Sequence, residues 1–293
     1  MMRVRMVRPS DLHAIAGERW VERGRRPVVR DGMAYVPVRE GEPHDLILPE
    51  RRPYTGRGYQ RLGDLVLLHG SRPTKEEVEE ILAWVGPKGI LWLRGISGKE
   101  RVPDIEVVWG RAGEVCHREY GCRFILDPAR VMYAMGNLSE RRHMVELARE
   151  AGMHERIGDL FAGIGYFSIP LARAGFRVHA MEISPVAWGY LERNILGNGV
   201  KDRVSAERGD CRDLLRGTYD RLILGHFDAM DYLQDALSHA RDGTVLHIHT
   251  LRADNEGIVS MAREAGFAVA VTTRRVKSYA PHTWHRVQDV RLS

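Results

Sequence analysis

The second half of the sequence predicts an α/β fold with a doubly wound, mostly parallel sheet, and a smaller α+β unit before it. Three observations carry this. Asp159-Leu160-Phe161-Ala162-Gly163-Ile164-Gly165 follows the strand-like Ile157 to Phe161 and opens onto a helical run, Tyr166 to Ala174, closed by Gly175. A second apolar strand, Val178 to Met181, ends in Glu182, nineteen residues after Gly163. Beyond it, apolar strands and amphipathic helices keep alternating, the pattern of parallel strands joined by crossovers.

Taken in order, residues 1–58 are arginine-rich and broken by turn clusters at Gly24 to Pro27, Gly41 to His44 and Arg51 to Gly58, and read as a small β-containing extension. Residues 59–127 read as a small α+β domain. Leu62 to Leu68 is a strand interrupted by Gly63-Asp64. Thr74 and Glu77 have the spacing of a capping box, and Val78, Ile81, Leu82 and Val85 share one helical face ended by Gly86-Pro87. Strands follow at Ile90 to Leu93, Ile105 to Trp109, Glu114 to Glu119 and Phe124 to Leu126. Residues 128–293 read as the doubly wound domain, led in by a connecting helix from Asn137 to Gly152. Ser184-Pro185 starts the helix after the second strand. Further strands are expected at Val204 to Glu207, Arg221 to Leu224, Thr244 to His249, Ala268 to Thr272 and Val287 to Leu292.

Composition bounds the function. The 293 residues are 44% hydrophobic, enough for one large or two medium domains. Three cysteines with no C-x-x-C pair and no Cys/His metal spacing indicate a reducing cytosol and no metal site. The arginines of the first nine residues precede no apolar stretch, and no run approaches membrane-span length, so a soluble cytoplasmic monomer is expected. The formal charge of +5 is compatible with a polyanionic partner.

The ligand follows from the turn. A carboxylate at Glu182 accepts from both vicinal hydroxyls of a ribose. The loop lacks the third glycine of a dinucleotide fingerprint, and Asp159 beside it would repel a pyrophosphate. An acidic turn suits a nucleoside that carries an amino group or a sulfonium, and S-adenosylmethionine carries both. Ligands of such sheets sit outside the strand carboxyl ends. Gly163, Gly165, Gly225, Asp210 and Cys211 fall there, with Asp210 placed to accept from an adenine amino group or to cap the following helix. His226 is a candidate base in the same place. Arg141, at the start of the connecting helix, is expected either to reach the cofactor carboxylate or to sit exposed. Arg275, Lys277 and Tyr279 combine cations with a ring, a pairing that holds phosphates and stacks on unpaired bases.

The runs DLFAGIGYFSIPLA, RVKSYAPHTWHRVQDV and EYGCRFILDPARVMYAMGNLSER, with Glu182, resemble the archaeal tRNA wybutosine aminocarboxypropyltransferases, relatives of the tRNA guanine-37 N1-methyltransferases. The resemblance spans about residues 59–293. It implies a class I S-adenosylmethionine-dependent, Rossmann-like fold, and transfer of the 3-amino-3-carboxypropyl group to 4-demethylwyosine at position 37 of tRNA-Phe, held by its anticodon stem-loop. It also implies that Arg141, Glu182, Asp210 and Cys211 contact the cofactor. The methyltransferases carry Pro-Arg where this chain has Met135-Gly136-Asn137, and Asn-Leu-Pro where it has Gly225-His226-Phe227; both positions favour the aminocarboxypropyl branch. A serine common just before the first of these is Ala134 here. Glu140 matches the glutamate proposed as base in the methyltransferases. Glu140, Asn137 and His226 are therefore the catalytic candidates. Guanine-37 methylation and a non-catalytic tRNA-binding module are the alternatives.

Overall fold

The computed structural model describes the whole chain except residues 31, 49–53, 99, 134–136, 153, 253 and 281, and the side chains of 138, 151 and 280. Ala134, Met135, Gly136 and the basic Lys99 thus lie outside the described residues. The chain divides into two compact units, Met1–Gly56 and Arg57–Ser293.

In the first unit β1 (Met2–Val7), the short helix α1 (Leu12–Ile15), β2 (Val28–Arg30), β3 (Met33–Pro37) and β4 (Leu46–Leu48) follow one another. The strands make an antiparallel sheet in the order β2-β3-β1-β4. Val4, Val21, Ala34, Val36 and Val38 are its buried apolar residues.

The second unit begins with β5 (Gln60–Leu62), β6 (Leu65–Leu68), α2 (Lys75–Val85), β7 (Gly89–Ser97) and β8 (Val102–Gly110). The expected strand across Gly63-Asp64 is instead a hairpin, because Gly63 adopts a φ of 58° and turns the chain back. Helix α2 has the predicted capping box: Thr74 Oγ1 accepts from the Glu77 amide and Glu77 accepts from the Thr74 amide. The helix carries the chain from β6 to the parallel β7. β9 (Val115–Glu119) and β10 (Cys122–Leu126) form a hairpin whose turn, Tyr120-Gly121, has positive φ at both residues.

The rest is α3 (Leu138–Ala151), β11 (Arg156–Asp159), α4 (Ser168–Ala174), β12 (Arg177–Glu182), α5 (Pro185–Gly197), β13 (Val204–Arg208), α6 (Cys211–Leu214), β14 (Arg221–Leu224), α7 (Leu233–Ser238), β15 (Val245–Thr250), α8 (Asn255–Glu264), β16 (Val269–Ala280) and β17 (Thr283–Leu292). The sheet runs β13-β12-β11-β14-β15-β17-β16, with the first five strands parallel and β17 antiparallel to both β15 and β16. The order reverses between β11 and β14, which opens a crevice at their carboxyl ends.

The predicted boundary at residue 127 is not a break between compact units. Asn194 and Asn198 on α5 clamp the edge of β10: Asn194 Oδ1 accepts from the Ile125 amide at 2.7 Å, and Asn198 Oδ1 accepts from the Arg123 amide at 2.8 Å. Leu62, Leu65, Leu91, Phe124 and Leu126 pack in one apolar core with Ile157, Ile164, Val178 and Leu191. The C-terminal strand also differs from expectation. β16 runs on to Ala280 because β17 pairs it throughout, with irregularities at Arg275/Lys277 and Ser278/Ala280, so Arg275, Lys277 and Tyr279 lie within a strand.

Candidate active site

A cavity of 870 Å³ opens at the crevice. Leu160, Phe161, Gly163, Glu182, Gly209 to Cys211 and Gly225 to Phe227 enclose it on the sheet side, and Gln60, His69, Leu93, Arg94 and Arg101 on the α+β side. Arg130 to Tyr133, Asn137 and Arg141 line it too, as do Lys277, Tyr279, His249 and His285.

Glu182 is the best-defined polar group. Its Oε2 accepts from the Gly163 amide and its Oε1 from the Ser184 amide, both at 2.7 Å. Gly163 holds a φ of 58°, and a Cβ there would meet the Tyr166 ring at 3.3 Å, so the turn that aims this amide requires glycine. Burial raises the carboxyl above its ordinary pKa despite the two amides. Each oxygen keeps a lone pair, and the side chain lines the cavity: the chemistry fits two ribose hydroxyls. We expect Glu182→Gln to place its amide NH2 against one of the two backbone N–H groups. Affinity for methylthioadenosine should fall by about 1.5–3 kcal/mol, roughly 10- to 100-fold. Titration calorimetry checks this; an unchanged Kd would mean that no ribose sits on Glu182.

Asp210 does two things. It caps α6 through the Arg212 amide and pairs with the Arg212 guanidinium at 2.6 Å, while lining the cavity beside Cys211, whose thiol burial pushes up to about 12. Gly225 lines it too. Phe161 and Tyr232, which sequence reasoning did not single out, add ring surface next to them and meet edge to face at 4.9 Å. Asn137 also faces the cavity, and its Oδ1 is buried with no partner among the described residues.

Other sequence-predicted residues are placed differently. Asp159 and Gly165 support the turn and do not line the cavity. Asp159 is fully buried, accepts from Ser168 Oγ at 2.7 Å, and burial pushes its carboxyl up to about 6. Gly165, with a φ of 101°, lets Ile169 and Leu191 pack where a Cβ would collide. Glu140 does not line the cavity; both its oxygens accept from Arg274, at 2.8 and 3.0 Å. Arg141 lines the cavity but is 2% exposed, paired with Glu119 at 2.6 Å and lying 4.4 Å over the Tyr166 ring. Glu140 and Arg141 are buried, so the expected exposed charged first turn is not formed by them; the neighbouring Arg142 is exposed and pairs with Glu146. His226 Nδ1 accepts from the Asp228 amide at 3.2 Å, so the neutral ring carries its proton on Nε2 and presents a donor instead of a base. Burial and then Arg101 lower its pKa and keep it neutral.

Of the basic C-terminal residues, Lys277 and Tyr279 line the cavity and Arg275 does not; Arg275 lies over the Trp284 ring at 5.1 Å. Burial, then Arg141 and Arg101, lower the Lys277 pKa. Arg101 lies 5.2 Å over Phe227, and Arg94 pairs with Asp104. Two histidines that sequence reasoning passed over, His249 and His285, sit side by side in the wall. The signal for the first was a strand, Val245–Thr250, that carries histidines at two alternate positions, 247 and 249. Among the described residues no cluster of side chains could hold a metal ion, and no helix is long and apolar enough to cross a membrane.

Residues 115–274 match the TRM5/TYW2 methyltransferase domain. The chain is 33% identical over 250 residues to the tRNA(Phe) (4-demethylwyosine(37)-C(7)) aminocarboxypropyltransferase of Methanocaldococcus jannaschii, covering 81% of this chain and 98% of that one. It is 34% identical over 267 residues to the protein of the same name from Pyrococcus horikoshii, covering 85% and 92%. The crystal structure of P. horikoshii TYW2 in complex with MeSAdo superposes with a TM-score of 0.69 at 31% identity, over 81% of this chain and 91% of that one.

Proposed function

Because this chain belongs to the TRM5/TYW2 methyltransferase-domain family, we propose that it transfers the 3-amino-3-carboxypropyl group of S-adenosylmethionine to C7 of 4-demethylwyosine at position 37 of tRNA-Phe. The observation that carries the reading is the match to two aminocarboxypropyltransferases over nearly their whole length. The cavity supports it. It has a carboxylate poised for a ribose, ring surface beside it, and a cationic rim of Arg94, Arg101, Arg130 and Lys277 suited to an RNA backbone.

Bound S-adenosylmethionine supplies a γ-carbon open to attack and a neutral leaving group, methylthioadenosine. The protein's part is positioning. Glu182 takes the ribose hydroxyls, Asp210 the adenine amino group, and Phe161 and Tyr232 flank the nucleoside. Asn137 Oδ1, buried without a partner among the described residues at the cavity, would accept from the ammonium of the amino-acid arm and so orient that arm. The Arg141–Glu119 pair stiffens the wall behind it. The His226 N–H, in the place of the methyltransferases' Asn-Leu-Pro, donates to the base. S-adenosylmethionine labelled in its carboxyl carbon should leave label in the tRNA, and donor labelled only in the S-methyl should leave none. Transfer of methyl label would assign the chain to guanine-37 methylation.

The tRNA footprint includes Lys277. Lys277→Ala should weaken tRNA binding and make the slope of log K against log salt shallower by about one unit for each phosphate that is no longer neutralised. Affinity for methylthioadenosine should stay unchanged. Filter binding across a salt series checks this; an unaltered slope would remove Lys277 from the RNA surface.

A further inference from the structure

The wall of the cavity holds a pair of histidines that the positioning scheme does not use. His249 lies near the carboxyl end of β15 and His285 on the antiparallel β17. His249 pairs in register with Val287, so His285, two residues away, shares its face of the sheet. Each is 1% exposed. His249 Nδ1 and His285 Nε2 share one hydrogen bond at 3.0 Å. The outer nitrogens, His249 Nε2 and His285 Nδ1, are buried with no partner among the described residues. Phe167 packs edge-on against His249 at 5.4 Å and Phe227 against His285 at 5.2 Å, fixing both rings.

The chemistry of such a pair is constrained. One proton lies between the rings, so in the neutral pair one outer nitrogen carries N–H and the other a lone pair. Shifting the inner proton exchanges the two roles. Burying two unpartnered polar atoms costs stability that a packing role would not require. Both residues line the cavity, so a group that enters it can partner one of the two.

We propose that the His249–His285 pair accepts the proton that leaves C7 of the tRNA base and passes it to solvent; this rests on the transfer reaction proposed above. In that reaction a π electron pair of the base forms the new C7–Cγ bond, and the Cγ–S pair leaves with methylthioadenosine. The alkylated ring is then a cation that still bears its C7 hydrogen. The lone pair of the outer nitrogen takes this proton, and the C–H electron pair restores the aromatic ring. The inner proton moves across the 3.0 Å bond, the other outer nitrogen gives up its proton to water, and the pair is neutral again. Exchange with water in the reverse sense resets the tautomers.

Burial first, and then the neighbouring charges, lower both imidazoles to about 3, so the lone pair stays free throughout the neutral range. So weak a base suffices, because a ring cation losing a proton to regain aromaticity is a strong acid. The other candidates are engaged. Both Glu140 oxygens are held by Arg274, and His226 presents a proton.

The test uses tRNA whose 4-demethylwyosine carries tritium or deuterium at C7, with saturating S-adenosylmethionine and the full chain. The wild type should release tritium to water as fast as it forms product, without a primary deuterium effect. His249→Gln and His285→Gln should each slow release about 100-fold and show a primary deuterium effect. The double variant should be no slower than either single one, since the pair acts as a unit. His249→Gly should regain release with added imidazole. Calorimetry with methylthioadenosine should give the wild-type Kd for all variants. Nitrogen-15 NMR of the free protein should show both rings neutral at pH 6. Release at the wild-type rate in both Gln variants would overturn the proposal, as would slow release with no isotope effect and weakened methylthioadenosine binding, the mark of a structural role. If the wild type itself released no tritium, the transfer reading would fall, and this proposal with it.

Discussion

Arg141→Ala should lower unfolding stability by about 3–5 kcal/mol, the cost of leaving one member of a buried ion pair without the other. The side chains of Arg141 and Glu119 are 1% and 4% exposed. Glu119 accepts from both Arg141 and the Tyr133 hydroxyl. Truncating the guanidinium strands a carboxylate in an apolar wall and removes a cation from over the Tyr133 and Tyr166 rings. Urea denaturation measures the loss. The double variant Arg141→Met with Glu119→Gln should recover much of it, because no charge is then left unpaired. A loss below about 1 kcal/mol for Arg141→Ala would mean that the guanidinium is free to serve a ligand. Impaired activity in Arg141→Ala is therefore no proof of contact with the donor's carboxylate.

The second large effect is expected at Arg274, near one end of a largely buried chain of charges. Glu155 accepts twice from Arg221, at 2.7 and 2.8 Å, and Arg221 meets His247. His247 Nδ1 meets Asp289 at 2.6 Å, and Asp289 accepts from Arg274 at 2.7 Å. Arg274 ends the chain with its two bonds to Glu140, which is 3% exposed. Arg274→Ala leaves both Asp289 and Glu140 without their guanidinium. As Arg274 is 27% exposed, the loss should fall at the low end for a broken buried pair, about 3 kcal/mol. Glu140→Gln keeps one acceptor and should lose about 1–2 kcal/mol. Neither change should alter methylthioadenosine affinity. A Glu140→Gln protein of full stability whose single-turnover rate had collapsed would return Glu140 to the role of base.

Most of the sheet was legible because buried parallel strands read as short apolar runs and their crossover helices carry clear stops. Ser184-Pro185 and the Thr74/Glu77 box marked helix starts correctly. Glu182 was legible because a fixed spacing after a glycine turn puts it at the crevice. The charged residues were not, since sequence shows a charge but not its partner. Glu119 is 22 positions from Arg141, and Glu140 is 134 from Arg274; only the folded chain brings these pairs together. The length of β16 was hidden for the same reason. Its polar half, Thr272 to Tyr279, is a strand only because β17 pairs it. The histidine pair joins two strands 36 residues apart, and no local pattern signals it.

The measurement closest to the central claim is the identity of the small-molecule product. With S-adenosylmethionine and tRNA bearing 4-demethylwyosine, chromatography of the quenched reaction should show methylthioadenosine in one-to-one ratio with modified tRNA. S-adenosylhomocysteine as the main product would contradict it and make the chain a methyltransferase.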